Sequence, residues 1–401
     1  MHLVGGYPFW LIKDGLLFNY PALENSIQTD VAIIGGGISG ALAAYYLTNA
    51  GVACVVVDSR TIGLGSTCAS TSLLQYEIDT PLSVLKNKVG SKNAVTSYKL
   101  CEEAISKIGL IAKKLNLKEF EFKKSLYYAA HKKHLGFLRT EFEIRKENSF
   151  EVTYLDEKAL HKTFGFSAPG AILSETAAQT DAYKFTHVLL QYSKQKGLQI
   201  YDRTAVTKIL HRRNSILLTT ANGCKIKAKK LIYANGYEAV NYIDKKIVDL
   251  HSTYATISEQ STPGTKFWKD EVLMWNTADP YLYMRTTIDK RIIIGGRDEP
   301  FNNSFHRDNL IRRKSQQLKK DFEKLWPAIT YKEEFSWTGT FGSTKDGLPF
   351  IGVLQNKPHS YFALGFGGNG ITFSLLAAEI ITDLLTKGRS RHSGLFSFSR
   401  V

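Results

Sequence analysis

The sequence predicts an α/β protein in which a Rossmann-like, dinucleotide-binding domain carries a second domain built on an antiparallel sheet. Three observations predict this. A short apolar run near the N-terminus ends in a glycine-rich hexamer and opens a helical pattern. A dense series of β-rich segments fills 199–234, and a second group of alternating segments fills 246–340. A chain of 401 residues exceeds one hydrophobic core, and its 43% hydrophobic content can fill more than one.

Residues 1–28 form an aromatic-rich lead-in with Tyr7, Phe9, Trp10, Phe18 and Tyr20. Asp30 to Ile34 reads as a buried strand because it is short, apolar and followed by glycine. Ile38 to Asn49 reads as a helix ending near Gly51, and Val52 to Asp58 as the next buried strand, completing one βαβ unit. From Pro81 to Phe150 the pattern is helical, with Ala94, Tyr98, Cys101, Ile105, Ile108 and Leu115 on a core-facing stripe. Asp181 to Lys196 is a helix closed by Gly197. Strands follow at Gln199–Tyr201, Val206–Leu210, Ile216–Thr220 and Lys230–Ala234, with Asn222-Gly223 marking a hairpin. In the second unit, Tyr281–Thr287 and Arg291–Gly295 flank Ile288-Asp289-Lys290 as a hairpin. Ile311, Leu318, Phe322 and Leu325 give one amphipathic helix.

The hexamer Gly35-Gly36-Gly37-Ile38-Ser39-Gly40 has the G-x-G-x-x-G spacing between a strand and a helix, and Asp58 closes the following strand. Gly35 permits the tight turn, Gly37 lets the backbone approach a pyrophosphate, and Gly40 allows close helix–strand packing. The helix N-terminus offers free N–H groups to phosphate, and Asp58 can accept from ribose hydroxyls. An acid there suits FAD or NAD and disfavours only NADP.

Lys plus Arg number 52 against 37 Asp plus Glu, for a net charge of +15. The excess is spread along the chain and reads as a solvated surface. Nucleic acid is not an expected partner, and contact with an anionic membrane surface stays open. Cys54, Cys68, Cys101 and Cys224 form no CxxC pair, so no disulfide frame, zinc site or other metal is expected, and a reducing, cytoplasmic setting is. No signal peptide is recognisable, and no window approaches the ~20 apolar residues of a spanning helix.

Further motifs decide the cofactor. Gly63-Leu64-Gly65-Ser66-Thr67-Cys68-Ala69-Ser70-Thr71 follows Asp58, and Leu231-Ile232-Tyr233-Ala234-Asn235-Gly236 ends a strand. Thr344-Lys345-Asp346-Gly347-Leu348-Pro349-Phe350-Ile351-Gly352 and Phe362-Ala363-Leu364-Gly365-Phe366-Gly367-Gly368-Asn369-Gly370 stand near the C-terminus. With the hexamer, these resemble the D-amino-acid-oxidase-like flavoprotein family, which includes glycine and sarcosine oxidases and gamma-glutamylputrescine oxidase. The resemblance runs from about Tyr7 to Leu395. It implies FAD held without a covalent bond, since Ala69 and Gly339 stand where some relatives carry the attaching residue. It also implies a discontinuous FAD-binding domain of 1–80, 150–245 and 336–401, with 81–149 and 246–335 forming the substrate or cap domain. The FAD contacts it implies are Gly35, Gly37, Ile38, Ser39, Gly40, Asp58, Ser59, Ser66, Thr67, Cys68, Ser70, Val206, Ala234, Gly236, Asp346, Gly367, Gly368, Asn369, Gly370 and Ile371.

The chemistry implied is hydride transfer to flavin from the carbon beside a nitrogen, with oxygen or another acceptor reoxidising the cofactor. Phe341 and Thr372 stand where relatives carry a carboxylate-gripping arginine or a lysine, which shifts the expectation away from small free amino acids. Tyr281, Tyr283 and Arg285 alternate along one strand and share a face. Arg285 is therefore the candidate anchor for an acidic group, with Tyr281 and Tyr283 lining the pocket, and Tyr283 and Lys345, the latter in the turn near the flavin, are further catalytic candidates. Arg297 is expected to pair locally with Asp298 or Glu299. Two other readings are a dehydrogenase passing electrons to quinone at a membrane surface and a tRNA-acting or non-catalytic FAD protein. The second rests on the basic cluster Lys208, His211, Arg212, Arg213, Lys225, Lys227, Lys229 and Lys230.

Overall fold

The computed structural model describes residues 2–400, which form two sheets. The smaller runs Phe350–Val353, Ser360–Leu364, Lys225–Tyr233, Ile27–Ile34, Cys54–Val57, Gln199–Tyr201. All neighbours pair parallel except the first, and the hairpin strands Val206–His211 and Ile216–Thr220 extend from Lys225–Tyr233. Cys54–Val57 and residues 31–34 of Ile27–Ile34 are apolar and buried because both faces are covered there. Helices Ile38–Asn49, Ser91–Lys114, Ala182–Gln195 and Gly370–Lys387 pack on one side, while the hairpin, Leu23 and Phe362 close the other. The expected helix Ile38–Asn49 begins and ends at those residues, and the hairpin at Asn222-Gly223 is present.

The larger sheet runs Val4–Gly6, Glu333–Thr344, Val248–Ser258, Ile292–Pro300, Tyr283–Thr286, Leu273–Asn276, Glu121–Tyr128, Gly170–Gln179, Leu73–Gln75, with Val152–Asp156 paired to Gly170–Gln179. Its pairs are antiparallel except Leu273–Asn276 with Glu121–Tyr128. Helix Ile311–Leu325 packs against it through Leu318 and Phe322. This sheet corrects the helical reading of Pro81–Phe150: helices Leu82–Val89, Ser91–Lys114 and Leu135–Glu147 are interrupted by the strand Glu121–Tyr128. Phe122, Tyr127 and Tyr128 suit a strand, and two neighbouring strands fix it there. The expected domain boundaries at 150 and 336 also run through this sheet, because Val152–Asp156, Gly170–Gln179 and Glu333–Thr344 all pair within it.

One buried ion network ties the pieces together. Arg145 has no solvent exposure; its Nε donates to Glu141 Oε1 at 2.8 Å and its Nη1 to Glu77 Oε1 at 3.3 Å. Glu141 also accepts the backbone N–H groups of Leu82 and Ser83 at 2.9 and 2.8 Å. The guanidinium lies among the rings of Tyr76, Tyr98 and Tyr127. Burial alone would discharge the arginine, but the two carboxylates hold it well charged. Among the described residues, no helix is long and apolar enough to cross a membrane, and no acidic, His or Cys cluster could hold a metal ion.

Candidate functional site

The carboxyl ends of Ile27–Ile34, Cys54–Val57, Lys225–Tyr233 and Ser360–Leu364 open onto one cavity of about 410 Å³. Gly35 makes the first turn with φ of 107°, and a Cβ there would stand 2.5 Å from the Ala234 carbonyl oxygen. A Cβ on Gly40 would collide with the Gly35 carbonyl oxygen, which is why helix Ile38–Asn49 can seat so close to its strand. A Cβ on Gly37 would meet Thr67 Oγ1 at 2.8 Å, and that hydroxyl accepts the Ile38 N–H at 3.0 Å. Gly37, Ile38 and Ser39 line the cavity, which reaches the start of the helix there.

Asp58 braces the same turn. Its Oδ2 accepts the Gly36 N–H at 2.7 Å and its Oδ1 accepts the Arg60 N–H at 2.9 Å. Burial pushes the carboxyl above the usual range, and these two N–H groups work against that shift. Arg60 is held by Glu238 through two hydrogen bonds, at 3.0 and 2.6 Å.

Seventeen of the sequence-predicted cofactor residues line this one cavity: Gly35, Gly37, Ile38, Ser39, Asp58, Ser59, Ser66, Thr67, Ser70, Val206, Ala234, Gly236, Gly367, Gly368, Asn369, Gly370 and Ile371. The donor set fits a large polar nucleotide. Ser66 Oγ and Asn235 Oδ1 are buried against the cavity with no partner within the protein. Cβ atoms on Gly65, Gly236 or Gly370 would meet nothing within 4 Å and would stand in the empty space. At the far end, helix Gly370–Lys387 directs its N-terminus at the cavity.

The remaining predictions fall elsewhere. Gly40 works from behind the turn. Cys68 is buried outside the lining; its thiol donates to the Gly65 carbonyl at 3.2 Å, and burial pushes it up to about 12, so it is an inert packing group. Asp346 accepts from Arg400 and from Leu348 N–H, which turns it toward the C-terminal segment. Lys345 is exposed and does not line the cavity. Arg285 also misses the cavity. Its guanidinium, 2% exposed, donates to the backbone carbonyls of Thr71 at 2.7 Å and Thr180 at 3.0 Å and stacks over Trp10. These carbonyls occupy the charge that was expected to grip a substrate. Arg297 pairs not with its neighbours but with Asp321, through two bonds at 2.8 and 2.6 Å. Lys208, Arg212, Arg213, Lys225, Lys227 and Lys229 are exposed on the hairpin side of the smaller sheet, with Lys229 paired to Asp30.

Tyr281, Tyr283 and Phe341 do line the cavity, with Asp298, which was expected only as a partner of Arg297, and with residues the sequence reading passed over: Glu77, Asp79, Thr253 and Trp275. Asp79 is fixed by the Tyr281 hydroxyl at 3.0 Å and the Gly368 N–H at 2.5 Å. Burial pushes Asp79 upward, and burial with the charge of Asp79 and Asp279 carries Asp298 to about 7 against the Thr253 hydroxyl. A readable signal was present: Glu77 and Asp79 interrupt an apolar run, and buried acids need partners.

A family model described as FAD dependent oxidoreductase matches residues 30–384. Among similar proteins, the gamma-glutamylputrescine oxidoreductase of Escherichia coli (strain K12) is 24% identical over 387 residues, covering 91% of this chain and 85% of that one. The glycine oxidase of Bacillus subtilis (strain 168) is 22% identical, with 92% and 96% covered. A solved glycine oxidase from Geobacillus kaustophilus shares the fold with a TM-score of 0.78 at 18% identity, covering 93% of this chain and 99% of that one.

Proposed function

The chain belongs to the FAD-dependent oxidoreductase family, and from that premise we propose that it oxidises a C–N bond of a small amine or N-substituted amino acid. FAD, when bound, supplies the hydride acceptor. The observation that carries the reading is the single cavity joining the Gly35–Ser39 turn and Asp58 at one end to a chamber of Tyr281, Tyr283, Trp275 and Phe341 at the other. The turn and Asp58 would hold the adenosine half, Ser66, Thr67 and Ser70 the linking phosphates and sugar chain, and the Gly367–Ile371 loop the redox end. The aromatic walls exclude water and orient the carbon to be oxidised, and the start of helix Gly370–Lys387 favours negative charge at the redox end. The relatives named for glycine and gamma-glutamylputrescine support a nitrogen-bearing substrate.

The electron acceptor is oxygen or a quinone, and a basic protein of +15 can meet an anionic membrane surface. Four free cysteines suit a reducing, cytoplasmic setting. The test is anaerobic mixing of the holoprotein with amines, N-methyl amino acids and 2-hydroxy acids. Bleaching of the flavin band by the nitrogen compounds is the expected result. Bleaching by hydroxy acids alone would overturn the C–N assignment. Oxygen uptake measured against quinone reduction identifies the acceptor.

A further inference from the structure

The chamber at the Gly367–Gly368 end of the cavity is acidic in a protein that is otherwise strongly basic. Glu77, Asp79 and Asp298 all line the cavity. The cationic residue that lines it, among those described, is Arg60, which stands beside Asp58 at the opposite end and is bound to Glu238. Arg285 and Lys345, which could have supplied a positive charge, do not reach it.

The acids are not equivalent. Asp79 is fully engaged by Tyr281 and Gly368. Glu77 is neutralised by Arg145 at 3.3 Å and accepts the Ser174 hydroxyl at 2.7 Å, although its Oε2 has no partner; Asp298 Oδ1 is sealed from solvent without a hydrogen-bond partner. Buried carboxylate oxygens without donors are costly, and a cavity beside them is where a donor can come from.

A bulge puts Asp298 there. Along Val248–Ser258 and Ile292–Pro300, Tyr254 pairs with Gly296 but Ser252 pairs with Glu299, so Arg297 and Asp298 together face Thr253. Arg297, at φ of 60°, takes the kink and turns out to Asp321, while Asp298 turns in beside Thr253. Aromatic rings complete the chamber. Trp275 and Tyr281 lie 6.0 Å apart at 76°, and Tyr281 and Tyr283 lie 5.8 Å apart at 53°. Acids and aromatic faces together attract a cation and repel a carboxylate.

We propose that this chamber recognises a substrate by a protonated nitrogen held between Asp298 and the faces of Trp275, Tyr281 and Tyr283, so that the substrate class is a diamine or polyamine rather than an amino acid. The anchored nitrogen is distinct from the one beside the carbon oxidised, because an ammonium withdraws the electron density that hydride transfer needs. The inference rests on the C–N reading above. It replaces the acidic-substrate anchor expected from sequence.

The test uses the FAD-loaded protein under anaerobic stopped flow with a short diamine, its mono-N-acetyl derivative, the straight-chain amino acid of equal length, and a 2-hydroxy acid. The diamine should reduce the flavin with a half-saturation at least tenfold below that of the acetylated compound. Asp298→Asn should shrink that preference at least tenfold, and Asp298→Glu should restore part of it. A direct measurement on the unmutated protein removes dependence on variant folding: tetramethylammonium should compete with the amine and acetate should not. Preference for the amino acid, an undiminished preference in Asp298→Asn, or competition by acetate alone would overturn the cation site while leaving C–N oxidation standing. Reduction by the hydroxy acid alone would instead remove the C–N reading beneath it.

Discussion

Replacing Asp58 with alanine tests whether one carboxylate both shapes the glycine turn and holds the nucleotide. It accepts two backbone N–H groups, from Gly36 at 2.7 Å and Arg60 at 2.9 Å. Hydrogen bonds to a charged acceptor contribute about 1.5–3 kcal/mol each. Water entering the cavity can satisfy both N–H groups in the variant, and the cost of burying the carboxylate is recovered. The free protein should therefore lose about 1–3 kcal/mol, read as a fall of a few degrees in the thermal midpoint. Each carboxylate oxygen keeps lone-pair capacity for a ribose hydroxyl. One such bond is worth about 1.5–3 kcal/mol, so the dissociation constant for FAD should rise roughly 10- to 150-fold. Flavin fluorescence quenching against apoprotein gives the constant, and calorimetry of the apoprotein gives the midpoint. Asp58→Asn keeps the shape but not the charge and should fall between. An Asp58→Ala dissociation constant within about threefold of the unmutated value would refute the ribose contact. If the midpoint falls while affinity holds, Asp58 is a turn-former only.

Two more predictions follow from buried charge. Arg145→Met should destabilise the fold by about 3–5 kcal/mol, seen as a lower urea midpoint, because Glu77 and Glu141 lose the charge that compensates them; a midpoint unchanged would show that the carboxylates take up protons at no cost. Stability should also depend on pH in two opposite limbs. Burial lowers His187 to about 4, so its contribution is present above about 6.5 and is lost as pH falls toward 4. Burial and the neighbouring Asp14 raise Asp181 to about 7, so its contribution is full below about 4 and is lost as pH rises through 7. Asp14→Asn removes the like charge and should raise the thermal midpoint at pH 8 more than at pH 5, by the equivalent of on the order of 1 kcal/mol; an equal rise at both would discard the pair.

The dinucleotide half was legible because its signals are local. A turn needing φ of 107° at Gly35, an acid at the end of the next strand and glycines before helix Gly370–Lys387 all act within a few residues of themselves. The strand Glu121–Tyr128 was missed because its partners, Gly170–Gln179 and Leu273–Asn276, lie far along the chain. The same distance hides sheet membership, so the boundaries drawn at 150 and 336 crossed a sheet that no local pattern marks.

The substrate end failed for a sharper reason. Alternation puts Tyr283 and Arg285 on one face of the strand Tyr283–Thr286, with Tyr281 just before it, but a shared face is not a shared space. The cavity ends after Tyr283, and Trp10 with the Thr71 and Thr180 carbonyls fills the next position, so the arginine became a brace. Alternation then failed outright at the bulge, where one extra residue sends Arg297 to Asp321 and Asp298 inward. The sign of the chamber's charge was decided by these two displacements, one of a cation out and one of an anion in. A period of two can predict neither, since the first depends on a helix of the lead-in, Phe9–Asp14, and the second on a register shift. Substrate polarity in such a fold is thus set by which charged residues the packing has already consumed. That is why the carboxylate oxygens left without donors say more about the ligand than the arginine that a strand pattern puts in view.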